Sequence, residues 1–379
     1  MNAEKLHAVA QKVSTNLHDA GVVPLLQQLS SALTNQINEP NQPNHQIKVG
    51  ELRTQLGERL GVDDTDWYSP AELQMIEEMK ANRVVPSILK KEIDEAFVQN
   101  EITPSVAQAI IDEINNDLDN KKKAFDGIIR DFFTLSIEID ELSAGEAALG
   151  VLMPRENGRD SLLGFVKEID DLNKIITIIN EYATGELGKS EIFELRAISS
   201  SDFFLDVKLA LDIAAALSLI VAGVIASYKN VLDIKKHYTE LREKEVPEIV
   251  LDHLKRYGDE VIDNNINEEI EKRIAELEKK KIDNQKINEI RGRLKFAMKL
   301  IATKIDCGFN FEVRVGRPDV EEDEPPAYED GTPIPKAELK LVDDIARNQE
   351  KLKFKKVSGD RLLEAPEEDA DDSEADEQD

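Results

Sequence analysis

The sequence predicts a mainly α-helical protein: an elongated helical bundle with two long heptad-patterned helices, at about 104–142 and 202–244, and a minor β element near 309–315. Three observations predict it. Apolar residues recur at alternating four- and three-residue steps along both long segments. Charged residues make up 33% of the 379 and aromatic residues only 5%, a mixture suited to helices with long charged faces. One short run alternates apolar and polar side chains with the period of a strand.

Residues 1–37 read as N-terminal helices, with Asn2–Ala20 and Val22–Gln36 apolar at helical spacing. Residues 38–46, an Asn- and Pro-rich stretch with little apolar surface to pack, form a polar linker. Residues 47–102 read as a short-helix region. A helix over Val49–Leu60 precedes Asp63–Tyr68, and Ser69-Pro70 supplies an N-cap and a first-turn proline for a helix over Ala71–Ala81. Trp67 and Tyr68 beside that start are expected to anchor packing.

Residues 103–315 are expected to form the long-helix core. Thr103-Pro104 opens the first long helix, and its seam runs through Ala107, Ile111, Ile114, Leu118, Lys121, Phe125, Ile128, Phe132, Leu135, Ile139 and Leu142. Lys121 is its one charged position. Such a helix would span about 58 Å. Ala147–Pro154 reads as a short strand or a buried turn. Leu162, Phe165, Ile169, Leu172, Ile176 and Ile179 mark an amphipathic helix ending at Ala183-Thr184-Gly185. Ser199–Asp202 then caps the second long helix, whose seam comprises Phe203, Asp206, Ala210, Ile213, Leu217, Ile220, Val224, Ser227, Val231, Ile234, Tyr238 and Leu241 before Pro247 stops it. The matching seams suggest that the two long helices pair antiparallel. Beyond Pro247, Val250, Leu254, Tyr257 and Val261 mark one helical face, and Ile262, Ile266, Ile270, Ile274 and Leu277 another. Ile287, Ile290, Leu294, Ala297 and Ile301 make a further helix, and Phe309, Phe311, Val313 and Val315 alternate as a strand. A lone strand is unstable, so Leu149–Met153 or Leu352–Val357 should pair with it.

Residues 316–335 form an acidic Pro-rich linker, 336–358 a C-terminal helix or short strand, and 359–379 a disordered acidic tail. Much of the net charge of −29 is local: Glu364–Asp379 holds ten acids and Asp319–Asp330 seven, with no Lys or Arg in either. The basic clusters Lys121–Lys123 and Lys279–Lys281 are small, so no nucleic-acid partner is expected. The single cysteine, Cys307, precludes an internal disulfide, fits a reducing cytoplasm and reads as a small packing residue. The polar N-terminus MNAEKLHAVAQKV lacks the apolar run of an export signal.

Ile213–Tyr228 contains no charge among sixteen residues, and side chains off the seam (Leu219, Val221, Ile225) are as apolar as those on it. A helix apolar all round is enclosed by protein or by lipid. Leu209–Ser227 approaches the roughly 20 residues that a bilayer requires, with Phe203, Phe204 and Tyr228 near its ends. Against lipid, the uncharged stretch spans only about 24 Å, and Asp212 would lie in the membrane at a cost of about 2.5–3.5 kcal/mol. Burial in protein is the expected outcome.

Ala183–Ser190 (ATGELGKS) has the Gly-Lys-Ser end of a phosphate-binding loop. It starts with Ala where the motif has Gly, and it follows a helical pattern rather than a strand, so a Thr-Gly turn leading into a polar loop is expected instead. His7, His18, His45, His237 and His253 have no metal-ligand spacing to one another or to Cys307. No catalytic, cofactor-binding or metal residue is therefore assigned and no cofactor is expected. The expected function is non-enzymatic: a cytoplasmic protein-protein interaction or scaffold protein, binding a partner or a second copy through helical seams. The alternative is a membrane-associated protein that inserts or anchors through Leu209–Ser227.

Overall fold

A computed structural model of the chain describes residues 3–100, 103–137, 142–154, 162–188, 193–199, 204–279, 282–318, 326–328, 331–353 and 361–366. Helices dominate and a small four-stranded antiparallel sheet accompanies them, the mainly α class that the sequence predicts. The chain divides into two compact units, Met1–Glu141 and Leu142–Asp379. The two long seams lie in different units, and each finds its packing partners within its own.

The first unit contains α1 (Ala3–Asp19), α2 (Val22–Asn38), α3 (Pro43–Arg59), α4 (Asp64–Trp67), α5 (Pro70–Glu78), a 3₁₀ turn (Asn82–Val84), α6 (Pro86–Val98) and α7 (Pro104–Thr134). The expected linker shrinks to Glu39–Gln42, because Pro43 takes the first position of α3, where its missing N–H is not needed. Tyr68 is fully buried and Trp67 packs against the same core. The seam residues Ala107, Ile111, Ile114, Leu118 and Phe125 are buried against α1, α2 and α6. Helix α7 stops at Thr134, short of the expected 142. Ser136 takes a left-handed φ of 54°, and Ile137 N–H bonds back to Phe132 O at 3.0 Å, so a Schellman-type cap turns the chain. His7 of α1 secures that turn by donating from Nδ1 to Ile137 O at 2.8 Å. Leu135, on the seam by spacing, is exposed beyond the helix end; Ile139 lies outside the described residues.

The second unit contains β1 (Ala147–Leu152), α8 (Leu162–Thr184), β2 (Leu195–Ser199), β3 (Phe204–Leu209), α9 (Leu211–Lys229), α10 (Leu232–Glu243), α11 (Glu248–Glu278), α12 (Asn284–Asp306), β4 (Asn310–Val315) and α13 (Lys336–Leu352). The strands run in the order β2-β3-β1-β4. Strand β4 pairs with β1 from Ala147↔Val315 to Leu152↔Asn310, so the first of the two expected partners is used. Leu352 belongs to α13, and 354–357 lie outside the described residues.

The second long helix, expected as one piece over 202–244, is three elements. Its first part is β3, because Leu205, Val207 and Leu209 alternate with Asp206 and Lys208 and the strand is flanked on both sides, by β1 and β2. The helical part breaks at Asn230–Val231, where α9 gives way to α10. The expected tail over 359–379 is also corrected, since Leu362 and Leu363 are buried in the core of this unit. On α11 the buried face is Leu251, Gly258, Ile262, Ile266, Ile270, Ile274 and Leu277, whereas Val250 and Tyr257 are exposed.

Helix α9 is enclosed by protein. Leu217, Ile220, Val221, Val224 and Tyr228 are fully buried, and α8, α10, α11, α12, α13, β1 and β4 all pack on it. Asp212, at its first turn, is exposed, so the helix carries no charge into the core. Gly223 permits one close approach: a Cβ there would lie 2.8 Å from Glu269 Oε1 and 2.9 Å from its Cγ. Glu269 is fixed in turn by Arg273 and Lys272. Leu217→Ala should cost about 2–5 kcal/mol through the cavity it leaves, and Gly223→Ala about 1–3 kcal/mol through overpacking. Urea denaturation followed by circular dichroism checks both.

Candidate functional site

The strongest polar constellation in the second unit is built where helices end. Asp306 is the last residue of α12, and both it and Lys235 of α10 are only 1% exposed. A carboxylate taken that far from water must have its lone pairs filled and its charge matched. Both conditions are met. Oδ1 accepts from Tyr228 Oη at 2.7 Å and from Lys235 Nζ at 3.0 Å. Oδ2 accepts from the backbone N–H groups of Leu362 at 2.6 Å and Leu363 at 2.9 Å. Lys235 Nζ also donates to the Asp306 carbonyl at 2.6 Å, satisfying one of the orphan carbonyls at the end of α12. Burial, reinforced by the Asp306 charge, pushes the Tyr228 phenol far above its ordinary value, so it stays a proton donor.

The segment Arg361–Pro366 thus lies on this unit as a peptide lies on a receptor. The Leu362 side chain covers Gly258 of α11, where a Cβ would come within 2.9 Å of Leu362 Cδ2; any larger residue would deny the leucine its seat. Glu364 N–H donates to Asp259 at 3.1 Å, and Thr303 Oγ1 donates to the Glu364 carbonyl at 3.1 Å. Two buried leucines with these four hydrogen bonds, three of them to carboxylates, contribute about 8–16 kcal/mol. Ordering six residues costs about 6–12 kcal/mol. The near balance makes this a marginal clasp rather than a rigid part of the core.

Other charges stitch the helices together. Lys304 of α12 meets Glu168 and Asp171 of α8, with its ammonium 5.3 Å from the Phe309 ring centroid. Arg293 bridges Glu181 at 2.8 Å, Lys299 bridges Asp263 at 2.6 Å, and Arg314 pairs with the buried Asp206. These pairs join separate elements, and all the carboxylates but the partly exposed Asp263 are largely packed away from water, which marks them as structural.

The Gly-Lys-Ser motif begins at the end of α8, not after a strand. Gly185 turns the chain with φ 71°, and Gly188 N–H donates to Glu181 Oε1 at 2.9 Å, so one amide of the loop faces a carboxylate. Lys189 and Ser190 lie outside the described residues. His7 is buried, His45 contacts Glu39 at 3.2 Å, and His18, His237 and His253 are exposed. Among the described residues no three His, Cys, Asp or Glu side chains are grouped to hold a metal ion. Cys307 is half-buried and packs against the core. Comparison with protein-family models, with curated proteins and with solved structures finds no match for this chain.

Sequence reasoning missed the Asp306 constellation. Its signals were a leucine pair in an otherwise acidic tail and a lysine, Lys235, one place off the seam position Ile234. Lys235→Met should cost about 3–5 kcal/mol by leaving the Asp306 charge buried and unpaired, read from urea midpoints. Asp259 is raised above the ordinary carboxylate value by burial, opposed by the Glu364 amide and Lys299 and reinforced by the charges of Glu364 and Asp263. The folded chain therefore holds this proton more tightly than the unfolded chain. Its contribution to stability is lost as pH rises from the ordinary carboxylate value through the raised one. Asp259→Asn should raise the melting temperature at pH 7, and thermal melts should show the gain vanishing below the ordinary carboxylate value.

Proposed function

We propose that this chain is a non-enzymatic protein-binding protein of the cytoplasm that receives peptide segments of other proteins between α11 and α12, where Arg361–Pro366 now lies. The observation that carries this reading is the seating of Arg361–Pro366. Main-chain amides meet a charge-neutralised carboxylate, and of the two buried leucines Leu362 fills a seat opened by a glycine. Peptide recognition uses the same division of labour, with backbone hydrogen bonds for affinity and side-chain pockets for specificity. The heptad seams do not offer such a surface, since Ile111, Ile114 and Leu118, like Leu217, Ile220 and Val224, are already buried within the chain.

A labelled peptide with the sequence of residues 361–366, titrated into full-length Leu362→Ser/Leu363→Ser protein, tests the reading by fluorescence anisotropy. It should saturate, and adding Gly258→Leu should abolish binding. A folded double variant that takes up no peptide would overturn the proposal.

One observation favours a second reading. Helix α9 is long and apolar enough, by length and composition, to cross a membrane. Under that reading the second unit opens and releases α9 into lipid. Dye release from anionic liposomes by the native chain, lost in Ile220→Asp protein, is its expected signature. Intact liposomes together with complete recovery in the soluble fraction after a carbonate wash would remove it.

A further inference from the structure

Within the segment Arg361–Pro366 the exposed Glu364 is held by its backbone, but its side-chain charge has the same sign as the charge beside it. Hydrogen bonding of Glu364 N–H to Asp259 places Glu364 beside Asp259, one turn from Asp263 on the same helix. Lys299 is already committed to Asp263 at 2.6 Å. The acid after the leucine pair therefore meets net negative charge, and nine further acids follow between Glu367 and Asp379. Like charges brought together oppose docking.

We infer that Arg361–Pro366 is an autoinhibitory placeholder, and that the groove it occupies is tuned to an external peptide carrying two adjacent leucines followed by a basic residue. This inference rests on the peptide-binding reading above and adds regulation and partner chemistry to it. The leucine pair repeats the contacts with Asp306 and Gly258, and the basic residue replaces repulsion from Asp259 with attraction. An intruding peptide wins because the resident segment is electrostatically detuned, although the tether gives the resident a high effective concentration. Binding of the partner would free the acidic tail from its anchor on the second unit.

The test compares two labelled peptides, one with the sequence of residues 361–366 and one carrying the Glu364→Lys change, against wild-type chain and the full-length Leu362→Ser/Leu363→Ser variant. Three results are expected. Both peptides bind the variant, the Lys peptide binds it roughly fivefold tighter, and the wild-type chain binds each peptide about tenfold or more weakly than the variant does. Equal affinity for wild type and variant overturns autoinhibition while leaving the groove intact. Equal affinity of the two peptides overturns the basic preference. Failure of both peptides on a folded variant overturns the groove reading itself. Hydrogen exchange on the wild-type chain needs no variant. The amides of Leu362 and Leu363 should exchange well before those of Leu217 and Ile220, and faster when the Lys peptide is added. Exchange of all four only with global unfolding would make the segment a permanent strut and overturn the inference.

Discussion

Enclosing a helix with no polar face is the constraint around which the second unit is arranged. An ordinary surface helix needs one apolar wall; α9 needs walls on nearly every side, because its uncharged stretch is apolar all round and leaves only the small Ala226 exposed. Five helices and two strands supply those walls. Once they crowd round one axis, their own charged residues are drawn toward the interior. The long side chains of α8, α10, α11 and α12 can be accommodated there only as matched pairs. The buried ion pairs of this unit thus follow from the apolarity of α9. They stitch together elements that a greasy core alone would hold in several registers.

The clasp at Asp306 is the limiting case. Tyr228 at the end of α9, Lys235 at the start of α10 and Asp306 at the end of α12 each come from a helix terminus, where backbone groups also lack partners. Two of the four acceptor positions on the carboxylate remain for donors from elsewhere, and the backbone of Leu362 and Leu363 fills them. A fully apolar alternative at this site would be at least as stable. What a carboxylate offers instead is recognition of main-chain amides, which any sequence can present, while Gly258 reserves the seat for a leucine.

The class of fold and the helices with regular seams were legible in the sequence because periodicity reports which face is buried. The heptad template failed where it was pushed too far. At Phe204–Leu209 the positions Phe203, Asp206 and Ala210 fit the template, but the period-two alternation of Leu205, Val207 and Leu209 carried the structure. At Leu135 the seam continued in sequence while Ser136 had already turned the backbone, and a left-handed serine leaves little compositional trace. The candidate site was almost illegible. Asp306 and Leu362 are 56 residues apart and Lys235 and Asp306 are 71 apart, so no local motif joins them. In a chain with 77 acids, no single aspartate stands out. The leucine pair was the one local sign, masked by the acidity around it.

The position of that leucine pair in the chain orders events during synthesis. The first unit has its last described contact, Ile137 with His7, as soon as residue 137 is made. The second unit cannot fill the Asp306 carboxylate until Leu363 arrives, 226 residues later. At about 5–20 residues per second that interval is roughly 11–45 s. For that time the ribosome carries a finished N-terminal unit followed by an unfinished one, and over its last 134 residues, from Lys229 to Leu363, roughly 7–27 s, the uncharged α9 sequence is already made while its walls are still incomplete. Chaperone demand should accordingly fall almost entirely on the second half of this protein.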